Sequence, residues 1–119
     1  MHKVLIVDDE VRVVRFVRLA LGRSGYRVIT ATSGDKALRL ARSFKPDAVI
    51  LDIKPGTDGF EMLSKLRSIL DMPIIAVSTR TGIADKAIGL GATVYLAKPF
   101  KPEELIQRID ALLAPESGP

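Results

Sequence analysis

Five short apolar segments alternate along the chain with five longer stretches of helical periodicity, and no other feature of the sequence limits the fold so strongly. These segments cover residues 3–7, 27–31, 48–51, 74–77 and 94–97, and the exceptions to their apolar character are Lys3, Arg27 and Thr30. Strands that are apolar throughout are buried on both faces, and a regular alternation with helices makes the sheet parallel. The sequence therefore predicts a three-layer α/β sandwich of five βα units, which are too few for a closed eight-unit barrel.

The helical stretches carry recognisable start and stop signals. Ser33 is a predicted N-cap, and Pro46 stops the second helix. Asp58, with Glu61 three residues later, predicts a capping box, and Pro102 is placed at the first position of the last helix. In the first helix we expect an apolar stripe to face the core, formed by Val11, Val14, Phe16, Val17, Leu19 and Ala20.

The composition excludes several classes of protein. The chain has 119 residues and no cysteine, which indicates one domain without disulfides, thiol chemistry or Cys-ligated zinc. Its apolar runs stop after four residues, far short of the roughly 20 that span a bilayer. Asp8, Asp9 and Glu10 interrupt the start of the chain, where a signal peptide needs an apolar core, so the expected compartment is the cytoplasm. We expect a domain at 1–114 and a tail or linker at 115–119.

Polar side chains follow each of the five predicted strands. They are Asp8 and Asp9, Thr32 and Ser33, Asp52, Ser78 and Thr79, and Lys98 and Pro99. In an open parallel sheet, ligands bind beyond the carboxyl ends of the strands. If the first and third strands are neighbours, two carboxylates about 4 Å apart repel each other by roughly 4 kcal/mol. A hard divalent cation offsets that repulsion, and carboxylate ligands suit Mg²⁺ or Mn²⁺.

The same set of residues suits one kind of chemistry. Lys98 supplies an ammonium group, Ser78 supplies a hydroxyl and the carboxylates supply a nucleophile. Together with a metal ion, these groups favour transfer of a phosphoryl group onto a carboxylate.

Four stretches of the chain together resemble the receiver domain of two-component response regulators. They are residues 4–10, 49–59, 73–78 and 91–100, which read VLIVDDE, VILDIKPGTDG, PIIAVS and GATVYLAKPF. Their order and their placement after successive strands are specific, and they run nearly from end to end. The resemblance implies a flavodoxin-like fold with a parallel five-stranded sheet in the order 2-1-3-4-5. It also implies a signalling module, which is not an enzyme beyond catalysing its own aspartyl phosphorylation and dephosphorylation.

The resemblance assigns roles to the acidic residues. Asp52 is the expected phosphoacceptor, taking a phosphoryl group from the phosphohistidine of a sensor histidine kinase or a phosphotransfer domain. Asp9 and Asp52 are the expected direct ligands of Mg²⁺, and Asp8 acts through water. The backbone carbonyl of Lys54 is expected to complete the metal site.

The remaining roles concern phosphoryl contact, switching and output. Lys98 is expected to contact a phosphoryl oxygen, and Pro99 to follow a cis peptide bond. Ser78 is the hydroxyl that moves toward the phosphoryl group, and Tyr95 is the aromatic switch residue whose rotamer follows it. The resemblance further implies an output domain beyond Pro119, often for transcription, and a homodimer that forms on phosphorylation.

Two segments are shorter than the family pattern. Only Ile53 and Lys54 separate Asp52 from the turn that begins at residue 55, and the segment that holds the fourth helix is shortened as well. The positions two residues after Asp52 and Ser78 are Lys54 and Arg80. We hypothesise that these two cations act as modulators that shield the acyl phosphate from water. An unchanged phosphate lifetime after Lys54→Ala with Arg80→Ala would contradict this.

The net charge of +4 is concentrated in the first 45 residues, which hold ten basic and four acidic side chains. The basic residues of the first two helices form a solvated face or, alternatively, a docking surface for an acidic kinase domain: Arg12, Arg15, Arg18, Arg23, Arg39, Arg42 and Lys45. Direct DNA binding is not expected, because the chain has no recognition-helix motif or basic arm. No membrane partner is expected either.

Two other functions stay open at this stage. The shortened loop after Asp52 is compatible with a degenerate receiver that binds partners without being phosphorylated. A flavodoxin-like phosphate-binding enzyme is the third alternative, although the chain lacks the GxGxxG and P-loop glycine patterns. Mg²⁺-dependent labelling by a small phosphodonor separates a phosphorylatable receiver from a degenerate one. Turnover of a free phosphate ester indicates the phosphate-binding enzyme.

Overall fold

A computed structural model describes residues 2–54 and 59–113 of the chain. The strands are β1 (Lys3–Val7), β2 (Arg27–Ala31), β3 (Ala48–Asp52), β4 (Ile74–Ser78) and β5 (Val94–Ala97). The helices are α1 (Val11–Arg23), α2 (Gly34–Phe44), α3 (Gly59–Ile69), α4 (Ala84–Gly89) and α5 (Pro102–Leu112). All neighbouring strands are parallel, in the order β2-β1-β3-β4-β5, which confirms the predicted α/β fold and strand order.

The sheet separates two hydrophobic cores. On one face, Leu5, Val49 and Ile74 pack with α2, α3 and α4 through Ala37, Ala41, Leu63, Leu66 and Ala87. On the other face, the strand residues pack with α1 and α5 and include Val4, Ile6, Ile50, Ile75, Val17, Leu21, Leu105 and Ile109. Because successive strand residues point to opposite faces, only continuously apolar strands supply both cores. The edge strands β2 and β5 are less buried than the three central strands.

Most of the predicted helix signals are present. The Ser33 hydroxyl accepts a hydrogen bond from the Lys36 amide, and α2 ends two residues before Pro46. Pro102 is the first residue of α5. Helix α4 has only six residues, in agreement with the short segment that holds it. The predicted capping box at Asp58 and the predicted tail at 115–119 lie outside the described residues.

One prediction about α1 is wrong. Phe16 and Leu19 do not face the core, since 54% and 56% of their surfaces are exposed. The inner face is formed by Val13, Val14, Val17, Ala20 and Leu21. At 100° per residue, positions 16 and 19 fall well to one side of the direction of Val17, among the exposed arginines. The side chain of Val11 lies outside the described part of the chain.

Arg67 fastens the end of α3 to the turn that leads into β5. Its guanidinium donates to the carbonyls of Gly91 at 2.7 Å, Met72 at 2.9 Å and Leu70 at 3.1 Å, and to the Thr93 hydroxyl at 3.2 Å. Gly91 has a φ of +117°, and a Cβ built there would lie 2.5 Å from Arg67 Cγ. The turn therefore needs glycine both for its backbone conformation and for the approach of Arg67.

Arg67→Met is expected to lower the free energy of unfolding by about 2–3 kcal/mol, because several carbonyls lose a charged donor while the apolar stem keeps its packing. Urea unfolding followed by circular dichroism measures the change. Arg42→Met, which replaces an exposed arginine of α2, serves as the matched control and is expected to change little. Equal stability of the two variants would contradict the fastening role of Arg67.

Candidate functional site

The register of the central strands brings the predicted polar residues to one edge of the sheet. Val7 pairs with Leu51, so Asp8 and Asp52 follow aligned positions on neighbouring strands. Asp52 pairs with Val77, and the Lys98 amide donates to the Ser78 carbonyl at 2.8 Å. The carboxyl ends of β1, β3, β4 and β5 therefore present a common cluster of charged and polar groups.

Asp52 is the buried centre of this cluster. Only 3% of its side chain is exposed, and its Oδ1 lies 2.9 Å from Lys98 Nζ. The same ammonium lies 3.7 Å from Asp8 Oδ2, and 4% of the Asp8 side chain is exposed. The Lys98–Pro99 peptide bond is cis, as the resemblance implies. Lys98 thus bridges two buried carboxylates on neighbouring strands.

The second oxygen of Asp52 is buried without a hydrogen-bond donor among the residues that the structure describes. Burial raises the pKa of the Asp52 carboxyl, because removal from water disfavours its charge. The Asp8 carboxylate acts in the same direction, and the hydrogen bond from Lys98 opposes both. The fold therefore holds a carboxylate whose charge is only partly compensated.

Asp52→Asn is expected to stabilise the metal-free fold at neutral pH. Because the pKa of Asp52 is raised on folding, its ionised form costs stability above that pKa and costs nothing below the pKa of the unfolded chain. The gain in the free energy of unfolding should grow as the pH rises from about 4 through the raised pKa of Asp52, and it should vanish below about 4. Urea unfolding in EDTA across this range provides the measurement. A gain that is the same at both ends would contradict the assignment to Asp52 ionisation.

Lys54 places a second ammonium group in the cluster. Its Nζ lies 3.2 Å from Asp8 Oδ1 and 3.7 Å from Asp52 Oδ2, and it donates a hydrogen bond to Asp9 Oδ1. Glu10 Oε2 is also 3.7 Å away. Burial lowers the pKa of Lys54, but its hydrogen bonds to Asp9 and Asp8 outweigh that effect and raise it overall. The side chain of Lys54 therefore joins the site, whereas the sequence drew attention to its carbonyl and to a shielding role.

Asp8 and Asp9 differ in exposure and in contacts. Asp8 is buried, and its Oδ1 accepts a hydrogen bond from the Glu10 amide at 2.9 Å, which shapes the turn into α1. Asp9 is exposed, and its hydrogen bond with Lys54 lowers its pKa. Of the two carboxylates, Asp9 is thus the one that water and dissolved ions can reach.

The donor set fits a divalent cation. Mg²⁺ is bound in proteins by one or two carboxylates, with water and substrate phosphate oxygens as further ligands. Asp9 and Asp52 supply two such carboxylates beside Asp8, and Asp52 Oδ2 is the oxygen without a hydrogen bond from the described residues. In the arrangement that the structure shows for residues 2–54 and 59–113, no three acidic, histidine or cysteine side chains form a group that could hold a metal ion. The carboxylates converge on the Lys54 ammonium instead.

Ser78 is fully buried at the end of β4. Its hydroxyl donates to the carbonyl of Ile53, the residue that follows Asp52, and accepts from the Arg80 amide at 3.0 Å. The hydroxyl is therefore one residue away from the buried carboxylate and is held by the two loops that leave β3 and β4.

Tyr95 and Arg80 extend this network. The Tyr95 hydroxyl donates to the Arg80 carbonyl at 2.8 Å, and the Tyr95 ring is half-buried on β5. The Arg80 guanidinium lies 5.0 Å from the centre of the Phe60 ring of α3, and Lys86 Nζ lies 4.3 Å from the same ring. Arg80 is thus stacked on an aromatic ring, and the structure records no contact between its guanidinium and the carboxylate cluster.

Some residues of the site were not predicted from the sequence. A cleft beside Asp52 is also lined by Gly34, Asp35 and Met62, which come from α2 and α3. Glu10 gave a signal, since it continues the acidic pair, but received no role. The Phe60 ring that holds Arg80 gave none, because its position depends on how α3 lies beside the loop after β4.

Within the described part of the chain, no helix has the length and apolar character needed to cross a membrane.

A family model described as the response regulator receiver domain matches residues 4–110.

Curated relatives include two bacterial transcriptional regulators. The chain is 43% identical over 115 residues to the alkaline phosphatase synthesis transcriptional regulatory protein PhoP of Bacillus subtilis. It is 43% identical over 114 residues to the transcriptional regulatory protein KdpE of Mycobacterium tuberculosis. The alignments cover 93% of this chain in both cases, but 48% of PhoP and 50% of KdpE. The chain therefore spans about half the length of these relatives.

Solved structures of similar shape include two response regulators. The receiver domain of a Francisella response regulator superposes with a TM-score of 0.85 at 30% identity, covering 94% of this chain and 96% of that one. The response regulator TrrA of Thermotoga maritima, in complex with Mg²⁺-BeF, has a TM-score of 0.84 at 32% identity. That alignment covers 95% of this chain and 100% of TrrA.

Proposed function

The chain belongs to the response regulator receiver domain family, and from that premise we propose that it accepts a phosphoryl group on Asp52 from a phosphohistidine. The observation that carries the proposal is the state of the Asp52 carboxylate. It is buried, one oxygen is paired with Lys98, and the other has no hydrogen-bond donor among the described residues. A carboxylate in this state is a nucleophile whose charge is not yet fully satisfied.

The transfer is an in-line displacement at phosphorus. An oxygen of ionised Asp52 forms a bond to phosphorus, the bond from phosphorus to the imidazole nitrogen breaks, and its electron pair returns to the histidine ring. When bound, Mg²⁺ would supply charge neutralisation for the phosphoryl oxygens. Asp9 and Asp52 are the residues that would hold it directly, with Asp8 acting through water. The role of the Lys54 carbonyl as a further ligand stays a prediction.

Lys98 has a role both before and after the phosphoryl transfer. Before it, the ammonium is paired with Asp52 Oδ1 at 2.9 Å and holds that carboxylate in place. Once the acyl phosphate forms, the charge moves from the carboxylate onto the phosphoryl oxygens, and the same ammonium can follow it over a short distance. Such fixed positive charge stabilises the developing anion without large rearrangement.

The contacts of Ser78 support a switching role. Its hydroxyl is bound to the Ile53 carbonyl, and a phosphoryl oxygen on the neighbouring Asp52 would compete for that proton. Ser78 also accepts from the Arg80 amide, and the Arg80 carbonyl accepts from Tyr95. Rotation of the Ser78 hydroxyl therefore changes a network that ends at Tyr95 on the edge strand. Phosphorylation would shift the population between two arrangements of this network.

The partners follow from the family and from the relatives. The relatives are transcriptional regulators about twice as long, so we propose an output domain after residue 119 that controls transcription. DNA contact is then left to that output domain. In this proposal, a sensor histidine kinase or phosphotransfer domain supplies the phosphoryl group. The domain acts in the cytoplasm and forms a homodimer on phosphorylation. Helices α1 and α2 lie on opposite faces of the sheet, so their basic residues do not form one surface, and the proposed docking surface for the kinase is the exposed basic face of α1 alone.

A second candidate function has one observation in its favour. Lys54 already places a cation among the carboxylates that a metal ion would need. A chain that keeps this arrangement would act as an interaction module without being phosphorylated.

Labelling by acetyl phosphate tests the proposal. The purified chain is incubated with the donor in Mg²⁺ or in EDTA, and the intact mass and the modified peptide are determined by mass spectrometry. A label that requires Mg²⁺ and lies in the peptide with Asp52 is expected. The absence of a label in Mg²⁺ would favour the interaction module, and steady hydrolysis of free phosphate esters would indicate an enzyme. Shielding of the acyl phosphate by Lys54 and Arg80 stays a prediction, which is tested by measuring the lifetime of the acyl phosphate.

A further inference from the structure

Two lysines divide the four oxygens of the buried carboxylates between them. Lys98 lies 2.9 Å from Asp52 Oδ1 and 3.7 Å from Asp8 Oδ2. Lys54 lies 3.2 Å from Asp8 Oδ1 and 3.7 Å from Asp52 Oδ2. Each carboxylate therefore has one oxygen beside each ammonium group, although Asp52 Oδ2 lies 3.7 Å from Lys54 and accepts no hydrogen bond from the described residues.

The position of Lys54 coincides with the place where a metal ion is needed. Its ammonium donates to Asp9 Oδ1 and lies near the Asp52 oxygen that has no hydrogen bond. Asp9 and Asp52 are also the residues proposed to bind Mg²⁺ directly. Because oxygen ligands of Mg²⁺ lie at about 2.1 Å, an ammonium and the ion cannot share these oxygens.

We propose that Lys54 is a tethered cation that neutralises the site when no divalent ion is bound and competes with Mg²⁺ for Asp9 and Asp52. This inference rests on the proposed function, since it concerns the metal that the phosphoryl transfer uses. Binding of Mg²⁺ then requires the ammonium to leave, so the measured affinity is the intrinsic affinity reduced by the fraction of molecules in which Lys54 has moved out. Lys54 thereby sets the Mg²⁺ concentration at which the domain becomes competent.

The side chain of Lys54 is able to make this exchange. About a quarter of it is exposed (27%), whereas only 13% of Lys98 is exposed. Lysine carries its charge on a flexible four-carbon stem, so the ammonium can leave the carboxylates while the backbone of residue 54 stays in place.

Calorimetric titration with MgCl₂ at constant ionic strength, on metal-stripped protein, tests the proposal. Lys54→Met is expected to bind Mg²⁺ about fivefold more tightly than the unaltered chain, the upper end of what a partly exposed ion pair contributes. Lys65→Met, which removes an exposed lysine of α3, is the matched control and should bind as the unaltered chain does. Lys54→Arg keeps the charge and should bind Mg²⁺ as the unaltered chain does.

Thermal unfolding gives a second readout and guards against a variant that folds poorly. In EDTA, Lys54→Met should melt below the unaltered chain because Asp8 and Asp52 lose a counter-ion, and saturating Mg²⁺ should remove the difference. Equal or weaker Mg²⁺ binding by Lys54→Met would overturn the proposal. If acetyl phosphate labelling still required Mg²⁺, the proposed function would stand despite that result. Loss of both Mg²⁺ binding and labelling in every variant would overturn both.

Discussion

Asp52→Asn is expected to lose all labelling by acetyl phosphate. The asparagine amide is almost the same size as the carboxyl but offers no anionic oxygen to attack phosphorus, so the acyl phosphate cannot form. The fold should be unharmed, because the buried charge of Asp52 costs stability, as its raised pKa shows. Intact-mass spectrometry after incubation in Mg²⁺ measures the loss, which is complete rather than partial.

Asp35→Asn is the matched control for that variant. Asp35 lines the same cleft from the first turn of α2, but it is exposed and is not part of the carboxylate cluster. Its variant should be labelled as well as the unaltered chain. Labelling of Asp52→Asn at an undiminished rate would mean that another carboxylate accepts the phosphoryl group, and the role proposed for Asp52 would be wrong.

Lys98→Met is expected to slow labelling by about 10²–10³-fold, the effect of removing one fixed charge from a site that stabilises a developing anion. The methionine keeps the apolar length of the stem and removes only the ammonium. Asp52 Oδ1 then loses its partner at 2.9 Å, and Asp8 loses one at 3.7 Å. The rate is followed by mass spectrometry at several times, with the donor in excess.

The comparison for this variant is again Lys65→Met. The ammonium group of Lys65 lies on an exposed turn of α3, 3.3 Å from Glu61 Oε1, and takes no part in the site. If Lys98→Met and Lys65→Met were labelled at the same rate, Lys98 would have a structural role alone. Circular dichroism of both variants at the assay temperature shows that the comparison is made between folded proteins.

The fold could be predicted from the sequence because its signals are local and repeated. Largely apolar strands indicate a sheet covered on both faces, and the N-cap Ser33 and the first-turn Pro102 mark helix starts within one residue. The exposed positions of Phe16 and Leu19 show the limit of this reasoning. Both are apolar, but their angular positions on α1 place them outside the core, and apolar character alone does not decide burial.

The site was predictable as far as strand ends determine it. Asp8, Asp52, Ser78 and Lys98 share one edge because parallel strands in register end together. The direction of a long side chain in a loop has no such constraint. Lys54 turns toward the carboxylates, and Arg80 turns away to stack on an aromatic ring, although both stand two residues beyond a predicted site residue. Their opposite directions depend on three-dimensional neighbours that the sequence does not identify.

Arg80 is fixed at three points that belong to three different elements. Its amide donates to Ser78 at the end of β4, its carbonyl accepts from Tyr95 of β5, and its guanidinium rests on Phe60 of α3. A rearrangement that begins at the Ser78 hydroxyl therefore has two outlets, one through the Arg80 backbone to Tyr95 on the edge strand β5 and one through the Arg80 side chain to α3. The backbone outlet is independent of which side chain occupies position 80, whereas the outlet to α3 exists only with a cation or another group that stacks. Evolution can thus add or remove the second outlet by changing a single residue and leave the first one intact.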